Sequence, residues 1–392
     1  MASTASRRIR MGVAGLGRAF SIMLPTLQQD ARVALVAAAD PRPEARQRFT
    51  EDFGGAAYET IEALCTDPQV EVVYIASPHQ HHAEQARIAA AHGKHLLIEK
   101  PIALTLEDAH AIIDAARQAS IHLIVGHSHS FGAPILRARE LIADDSFGAV
   151  RMISAFNYTD FLYRPRRPEE LDTALGGGAL FNQAPHQVDM VRLLGGGLVT
   201  SVRSLTGNWD PTRPTEGAYA ALLSFESGTF ASLVYNGYSH FDSDEFTGWI
   251  GEMGQKKEPH TARADRRFDN PAQEAAAKAA RTYGGPGWQP PPPRDLLHQH
   301  FGTVLVSCDS ADLRPLPTGV MIYENGASRL DPLPAPAVPR AEVIDELYAA
   351  VVDGRPPLHD GAWATATLEV CLAMLRSARE GREVTLQHQV GA

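Results

Sequence analysis

Through the first third of the chain, short apolar runs alternate with stretches of helical spacing. Ile9–Ala14, Val33–Ala39 and His95–Glu99 are strand-like, as are residues 70–77 and 122–127. Between them Arg18–Gln29, Pro43–Phe53 and residues 60–66, 79–92 and 105–119 read as helices, with Thr105 and Asp108 in capping-box spacing. The strand-like runs are apolar throughout, as expected where both faces of a sheet are covered. Strands alternating with helices predict βαβ units and a parallel sheet.

The pattern changes near Val150. Residues 150–159, 198–205, 217–225 and 229–238 are strand-like, and one helix is predicted over 183–194. Consecutive strands with few crossovers predict a mostly antiparallel sheet. Residues 249–296 break this pattern with mixed charges, an alanine-rich piece at 272–280, a GGPG turn and four prolines at 290–293. They read as an insertion holding one helix and a stiff polyproline segment. Strands resume at 304–308 and 319–323, and a proline-rich linker at 333–339 precedes helices over 341–353 and 362–379. The fold class is therefore α/β: a Rossmann domain over 1–130, then an α+β domain with an open, mostly antiparallel sheet over 131–392. The helices within 341–379 are free to pack back on the first domain.

At 392 residues the chain has room for two domains. A net charge of −10 argues against a nucleic-acid partner. Three cysteines are no disulfide framework and suit a reducing cytoplasm. The first residues lack the apolar core of a secretion signal, and no apolar run has membrane-spanning length, so no membrane partner is expected.

Gly15 and Gly17 lie between the first strand and first helix, where G-x-G-x-x-G places a dinucleotide pyrophosphate. Phe20 stands at the third glycine position. Arg18 and Ala19 complete the turn. Asp40, ending the second strand, can bind a ribose 2′-hydroxyl and would repel a 2′-phosphate, which favours NAD. Arg42 could accept such a phosphate instead. Ser77, Pro78, His79 and His82 sit at the carboxyl edge of the sheet, where ligands bind in this architecture. The histidines there have no cysteine or carboxylate at ligand spacing, so no metal is expected.

Glu99, Lys100 and Pro101 leave the fourth predicted strand on the same edge. A lysine whose pKa falls through burial or a neighbouring cation can act as a general base. The second domain carries GGGALFNQAPHQVDMVRLLGG, in which Asn182, His186 and Asp189 fall on one helical face. That pattern suits proton transfer to a carbinol oxygen, and equally suits capping and packing.

The N-terminal turn, AAADP at 37–41, EKP at 99–101 and the glycine-rich segment ending in His186 and Asp189 together resemble the Gfo/Idh/MocA oxidoreductases. The resemblance implies a Rossmann domain followed by a substrate and oligomerisation domain. It makes Lys100 and His186 the catalytic pair, gives Glu99 to the nicotinamide ribose, and implies a cis Lys100–Pro101 bond. The family usually has aspartate where this chain has Asn182, which becomes an orienting group with more of the acid–base work on Lys100 and His186.

Four further stretches, LGRAFSIMLPT, YIASPHQHH, NYTDFLYRPRRPEELD and HFDSDEFTGWIGEMG, resemble a subgroup that oxidises the cis-4,5-dihydrodiol of phthalate. Such a small dianionic substrate calls for arginine forks. Arg164, Arg166 and Arg167, beside Tyr158, Phe161 and Tyr163, could supply them, with Arg164 and Arg166 the leading candidates and Tyr158 as a ring contact. A solvated loop or an intersubunit patch would look the same. A sugar, inositol or hemiacetal substrate, or a non-catalytic dinucleotide sensor, are the competing readings. A homodimer or homotetramer is expected.

Overall fold

The computed structural model describes residues 7–126, 129–259, 268–289 and 296–392. His127 and the proline run at 290–293 lie outside the described residues. The chain divides into two compact units. One holds Met1–Gly126, Ala276–Pro292 and Val338–Thr365; the other holds His127–Ala275, Pro293–Ala337 and Ala366–Ala392.

The first unit runs β1 (Ile9–Ala14), α1 (Arg18–Gln29), β2 (Val33–Ala39), α2 (Pro43–Phe53), β3 (Ala56–Tyr58), α3 (Ile61–Thr66), β4 (Val72–Ile75), α4 (His82–Ala91), β5 (His95–Glu99), α5 (Leu106–Gln118) and β6 (Leu123–Gly126). All six strands are parallel, in the order β3-β2-β1-β4-β5-β6. The order reverses beside β1, so the crevice that binds ligands in open α/β sheets lies at the carboxyl ends of β1 and β4. Ile9, Met11, Val13, Val72, Val73 and Ile75 are fully buried, as two-sided strands require. Thr105 accepts from the Asp108 N–H at 3.0 Å and so caps α5. The short strand β3 escapes a sequence reading because Gly-Ala-Ala-Tyr carries little strand signal.

The remaining elements are α6 (Ala133–Ala143), β7 (Val150–Tyr158), α7 (Gly178–Asn182), α8 (Ala184–Leu194), β8 (Val199–Gly207), β9 (Ala218–Phe225), β10 (Phe230–Asn236), α9 (Pro271–Ala279), β11 (Thr303–Cys308), β12 (Asp312–Leu316), β13 (Gly319–Glu324), β14 (Ala327–Pro332), α10 (Ala341–Val351), α11 (Gly361–Glu380) and β15 (Val384–Thr385). Of these, α10 belongs to the first unit. The second sheet has the order β14-β13-β12-β11-β7-β10-β9-β8-β15, antiparallel except for the β7–β10 pair. Helix α6 and strands β12 and β14 add to the elements read from sequence.

One face of this sheet is core. Ile153, Ala155 and Asn157 of β7 and Ala231, Leu233 and Tyr235 of β10 are buried on it. The opposite face leaves Leu205, Leu222, Phe230, Phe246 and Leu330 exposed. Helix α8 is buried along its whole length, charges included. Thr367 Oγ1 donates to Asp189 at 2.7 Å and accepts from Arg192 at 2.8 Å, so both charges have partners.

Candidate active site

In the first unit the phosphate turn has the geometry its glycines allow. Gly15 has φ +94°, and a Cβ there would lie 2.8 Å from the Ser77 N atom. Gly17 is the reverse case: the nearest protein atom to its Cβ position is 4.0 Å away. Gly17 caps α1 without a side-chain hydrogen bond, and the first turn of α1 holds no acid. A helix start with no side-chain cap and no acid, beside an open glycine, fits a pyrophosphate.

Asp40 and Arg42 form one interlocked pair. Asp40 Oδ2 accepts from the Leu16 N–H at 2.8 Å, and Oδ1 accepts from the Arg42 N–H at 2.9 Å. The Arg42 guanidinium adds bonds to both oxygens, at 3.0 and 3.1 Å. The carboxylate thus braces the phosphate turn, a task the β2 end position does not reveal.

Glu99 and Lys100 leave β5 half-buried, and the Lys100–Pro101 bond is cis. Burial pushes the Glu99 carboxyl up from the usual carboxylate range, against the Tyr74 hydroxyl, Lys100 and Arg340, which hold it down. Tyr74 donates to Glu99 Oε1 at 2.5 Å. Arg340 is itself pushed down to about 10 by burial, opposed by Tyr74 and Glu99. Arg340 donates to the Ile22 carbonyl. Sequence reading missed both Tyr74 and Arg340; the only signal for the latter is an arginine directly before a helix in a proline-rich linker.

The edge residues separate by role. Ser77 donates to Gln85 at 2.7 Å, and Pro78 and His79 remain half-buried at the mouth of the edge. His82 is fully buried, with Nδ1 3.0 Å from the Pro101 carbonyl and Nε2 3.1 Å from the Ser77 carbonyl. Its ring is therefore a strut joining the β4 and β5 ends, where the sequence reading made it a cofactor contact. Among the described residues, no group of three or more His, Cys, Asp or Glu side chains could hold a metal ion.

In the second unit Asn182 and His186 are not on one continuous helix. The helix breaks at Gln183, with φ −118°, between α7 and α8. Asn182 Nδ2 donates to the Gly176 and Gly178 carbonyls at 3.0 and 2.9 Å, so its amide orients the glycine turn. His186 lies near the start of α8, 8% exposed. His129 meets it edge-to-face with centroids 4.6 Å apart, and Phe301 flanks it at 5.1 Å. Phe301 in turn stacks with Tyr235 at 6.1 Å. The Tyr235 hydroxyl donates to Gln183 at 3.2 Å.

The three arginines differ. Arg164 keeps 42% of its side chain exposed, with Nε donating to Asp160 at 3.0 Å and Nη1 3.9 Å from Glu252. Arg166 turns inward, its guanidinium carbon 3.7 Å from the Phe161 ring centroid and Nη2 donating to the Phe161 carbonyl at 2.6 Å. Burial pushes Arg166 down to about 10. Arg167 pairs with Glu169 at 3.0 Å. Tyr158 corrects the sequence reading. Its neighbours on β7 alternate, so Asn157 faces the α8 side while Tyr158 joins Phe156 and Phe241 on the other face. The aromatic wall near Arg164 and His186 comes instead from Tyr235 and Phe301. Glu252 links the two ends, with Oε1 3.7 Å from His129 Nε2.

An accessible guanidinium, a flat aromatic wall and a buried imidazole can hold an unsaturated, carboxylated ring and receive a proton from it.

Comparison with known proteins agrees with both halves. Residues 9–127 match the model of an oxidoreductase family with an NAD-binding Rossmann fold. Residues 135–255 match the GFO/IDH/MocA C-terminal domain. The chain is 48% identical over 379 residues to 1-carboxy-3-chloro-3,4-dihydroxycyclohexa-1,5-diene dehydrogenase of Comamonas testosteroni, covering 95% of each chain. Its fold is similar to that of a protein from Bordetella bronchiseptica RB50 described as a dehydrogenase, with TM-score 0.91 and 42% identity over 97% of this chain and all of that one. WlbA dehydrogenase from Bordetella pertussis, solved with NADH and UDP-GlcNAcA, shares the fold at TM-score 0.68 and 21% identity over 97% of this chain and 99% of that one.

Proposed function

This chain belongs to the Gfo/Idh/MocA family of NAD-dependent oxidoreductases, and from that premise we propose that it oxidises a carboxylated cyclohexadiene cis-diol to a catechol. The finer proposal is the cis-4,5-dihydrodiol of phthalate, giving 4,5-dihydroxyphthalate. The observation that carries the substrate class is Arg164, an accessible arginine on the same unit as His186 and the Tyr235–Phe301 wall. The printed substrate of the Comamonas relative, a carboxylated dihydroxycyclohexadiene, supports the same class.

The bound nicotinamide supplies the hydride acceptor. The turn at Gly15–Phe20 and the N-terminus of α1 would hold its pyrophosphate, and Glu99 would hold the nicotinamide ribose. Arg164 binds a carboxylate through a planar fork, which fixes the ring in orientation as well as in charge. Lys100 and His186 share the acid–base work. One takes the hydroxyl proton as the carbinol C–H bond breaks, leaving a ring ketone. The ketone then enolises: the neighbouring carbinol carbon gives up its proton, the carbonyl oxygen takes one up, and the ring becomes a catechol. Aromatisation makes this direction downhill, so the chain has mainly to position the reactants and accept a proton.

The exposed apolar face of the second sheet supports a homodimer or homotetramer. The experiment for the reaction follows absorbance of reduced nicotinamide with purified protein, NAD and the phthalate dihydrodiol. A monocarboxylated chlorinated diol and a sugar panel run beside it. Formation of NADH with either carboxylated diol upholds the substrate class, and preference between them decides the finer proposal. Turnover of sugars alone overturns both.

A further inference from the structure

The insertion reaches the cofactor edge of the first unit. Residues 276–292 belong to that unit, and Tyr283 is fully buried in it. Its hydroxyl donates to Asp52 of α2 at 2.7 Å. Gly284 has φ +77°, and a Cβ there would lie 2.7 Å from Ala45 Cα, so the turn is pressed directly onto α2.

That turn holds Arg42. Arg42 Nη1 donates to Thr282 Oγ1 at 3.0 Å and to the Tyr283 carbonyl at 3.2 Å. Nη2 donates to the Leu16 carbonyl at 2.9 Å and to Asp40 Oδ2 at 3.1 Å, and Nε donates to Asp40 Oδ1 at 3.0 Å. A guanidinium has five N–H donors, and all five are engaged. Thr282 Oγ1 is fixed as an acceptor because its own proton goes to the Ala279 carbonyl at 2.7 Å.

We propose that Thr282, through Arg42, is a specificity-determining residue that excludes the 2′-phosphate of NADP. At the β2 end Arg42 is the cation that pairs with the Asp40 carboxylate, whereas Arg46 donates Nη1 to the Asp40 and Pro41 carbonyls, and the inserted turn keeps Arg42 folded onto Asp40. A 2′-phosphate must pull the Arg42 guanidinium away from five acceptor atoms on four residues and then lie beside an uncovered Asp40 carboxylate. A 2′-hydroxyl needs only one acceptor site on Asp40, so its demand is far smaller. Cofactor choice at the β2 end does not depend on which ring the enzyme oxidises.

The test is direct binding of NADH and NADPH to the full chain, followed by nicotinamide fluorescence. Thr282→Val removes one of the two Nη1 acceptors. It is expected to tighten NADPH relative to NADH by about threefold to tenfold, the range of one net hydrogen bond. Thr282→Ser keeps the hydroxyl and the wild-type ratio, and Thr282→Ala replaces the valine variant if that one does not fold. In an Arg42→Ala background the same Thr282 substitution leaves the ratio where Arg42→Ala puts it. An unchanged ratio in Thr282→Val, or the same gain with Arg42 absent, overturns the proposal.

Discussion

The ring of Phe20 meets the ring of Tyr283 edge-to-face, with centroids 5.1 Å apart and planes at 86°. Phe20 occupies the position where the dinucleotide fingerprint has its third glycine, and Tyr283 comes from the insertion. Both rings are fully buried. The loss of the glycine and the presence of the insertion are thus two halves of one packing arrangement. Trp288 extends it, 4.8 Å from Tyr283.

Truncating that contact should be costly. Tyr283→Ala is expected to lower stability by about 3 to 5 kcal/mol, the usual range for removing a buried aromatic. Tyr283→Phe should lose only the bond to Asp52, about 0.5 to 1.5 kcal/mol. Denaturant unfolding of the two variants checks the order; equal losses would place the energy in the hydroxyl rather than the ring.

Lys100→Ala is expected to lower turnover by about a hundredfold to ten-thousandfold, the range of general acid–base catalysis, while NADH still binds. Steady-state rates beside a fluorescence titration separate the two effects. Near-normal turnover would remove Lys100 from the proton-transfer role.

Arg164→Gln should raise KM for a carboxylated diol by about tenfold to a hundredfold, reflecting one lost charge-assisted contact of about 1.5 to 3 kcal/mol. An uncarboxylated diol should show little change. Initial rates with both substrates decide it, and equal effects on the two would assign Arg164 a structural role.

Asp30 gives a pH signature. Burial pushes its pKa up, but the side-chain and backbone hydrogen bonds from Arg32 outweigh that and leave it below the ordinary value of 3.8. Arg32 Nε and Nη2 donate to its two oxygens at 2.9 and 2.6 Å. A depressed carboxyl stabilises the fold above its unfolded pKa and loses that contribution as pH falls through the folded pKa. Asp30→Asn should therefore be less stable than wild type at neutral pH, with the gap narrowing below about pH 4. Thermal unfolding across that range tests the sign.

Leu222→Glu, on the exposed face of β9, should shift the protein toward a smaller species in light scattering, with the fold intact by circular dichroism. An unchanged mass would place any self-association elsewhere on the chain.

Much of the first unit is legible because its signals are local. An apolar run bounded by turn residues makes a buried strand wherever it stands, and Gly15 and Gly17 need only backbone freedom to form their turn. The same holds for the strands of the second sheet, whose alternation sets one face to the core. Tyr158 shows the limit: its neighbourhood in sequence is basic and aromatic, yet one step along the strand puts it on the opposite face from Asn157. The single helix read through Asn182 and His186 fails at Gln183, where the backbone turns to let Asn182 hold the glycine carbonyls.

The sequence by itself determined the order of elements, the dinucleotide turn and the family, because these rest on residue type and short spacing. Only the tertiary structure decided that Arg164 stays accessible while Arg166 turns inward, that His82 is a strut, and that Asp40 and Arg42 are locked by Thr282 and Tyr283. Those outcomes depend on partners far away in the chain. Hydrogen-bond capacity and burial are properties of the assembled neighbourhood, and no local pattern carries them.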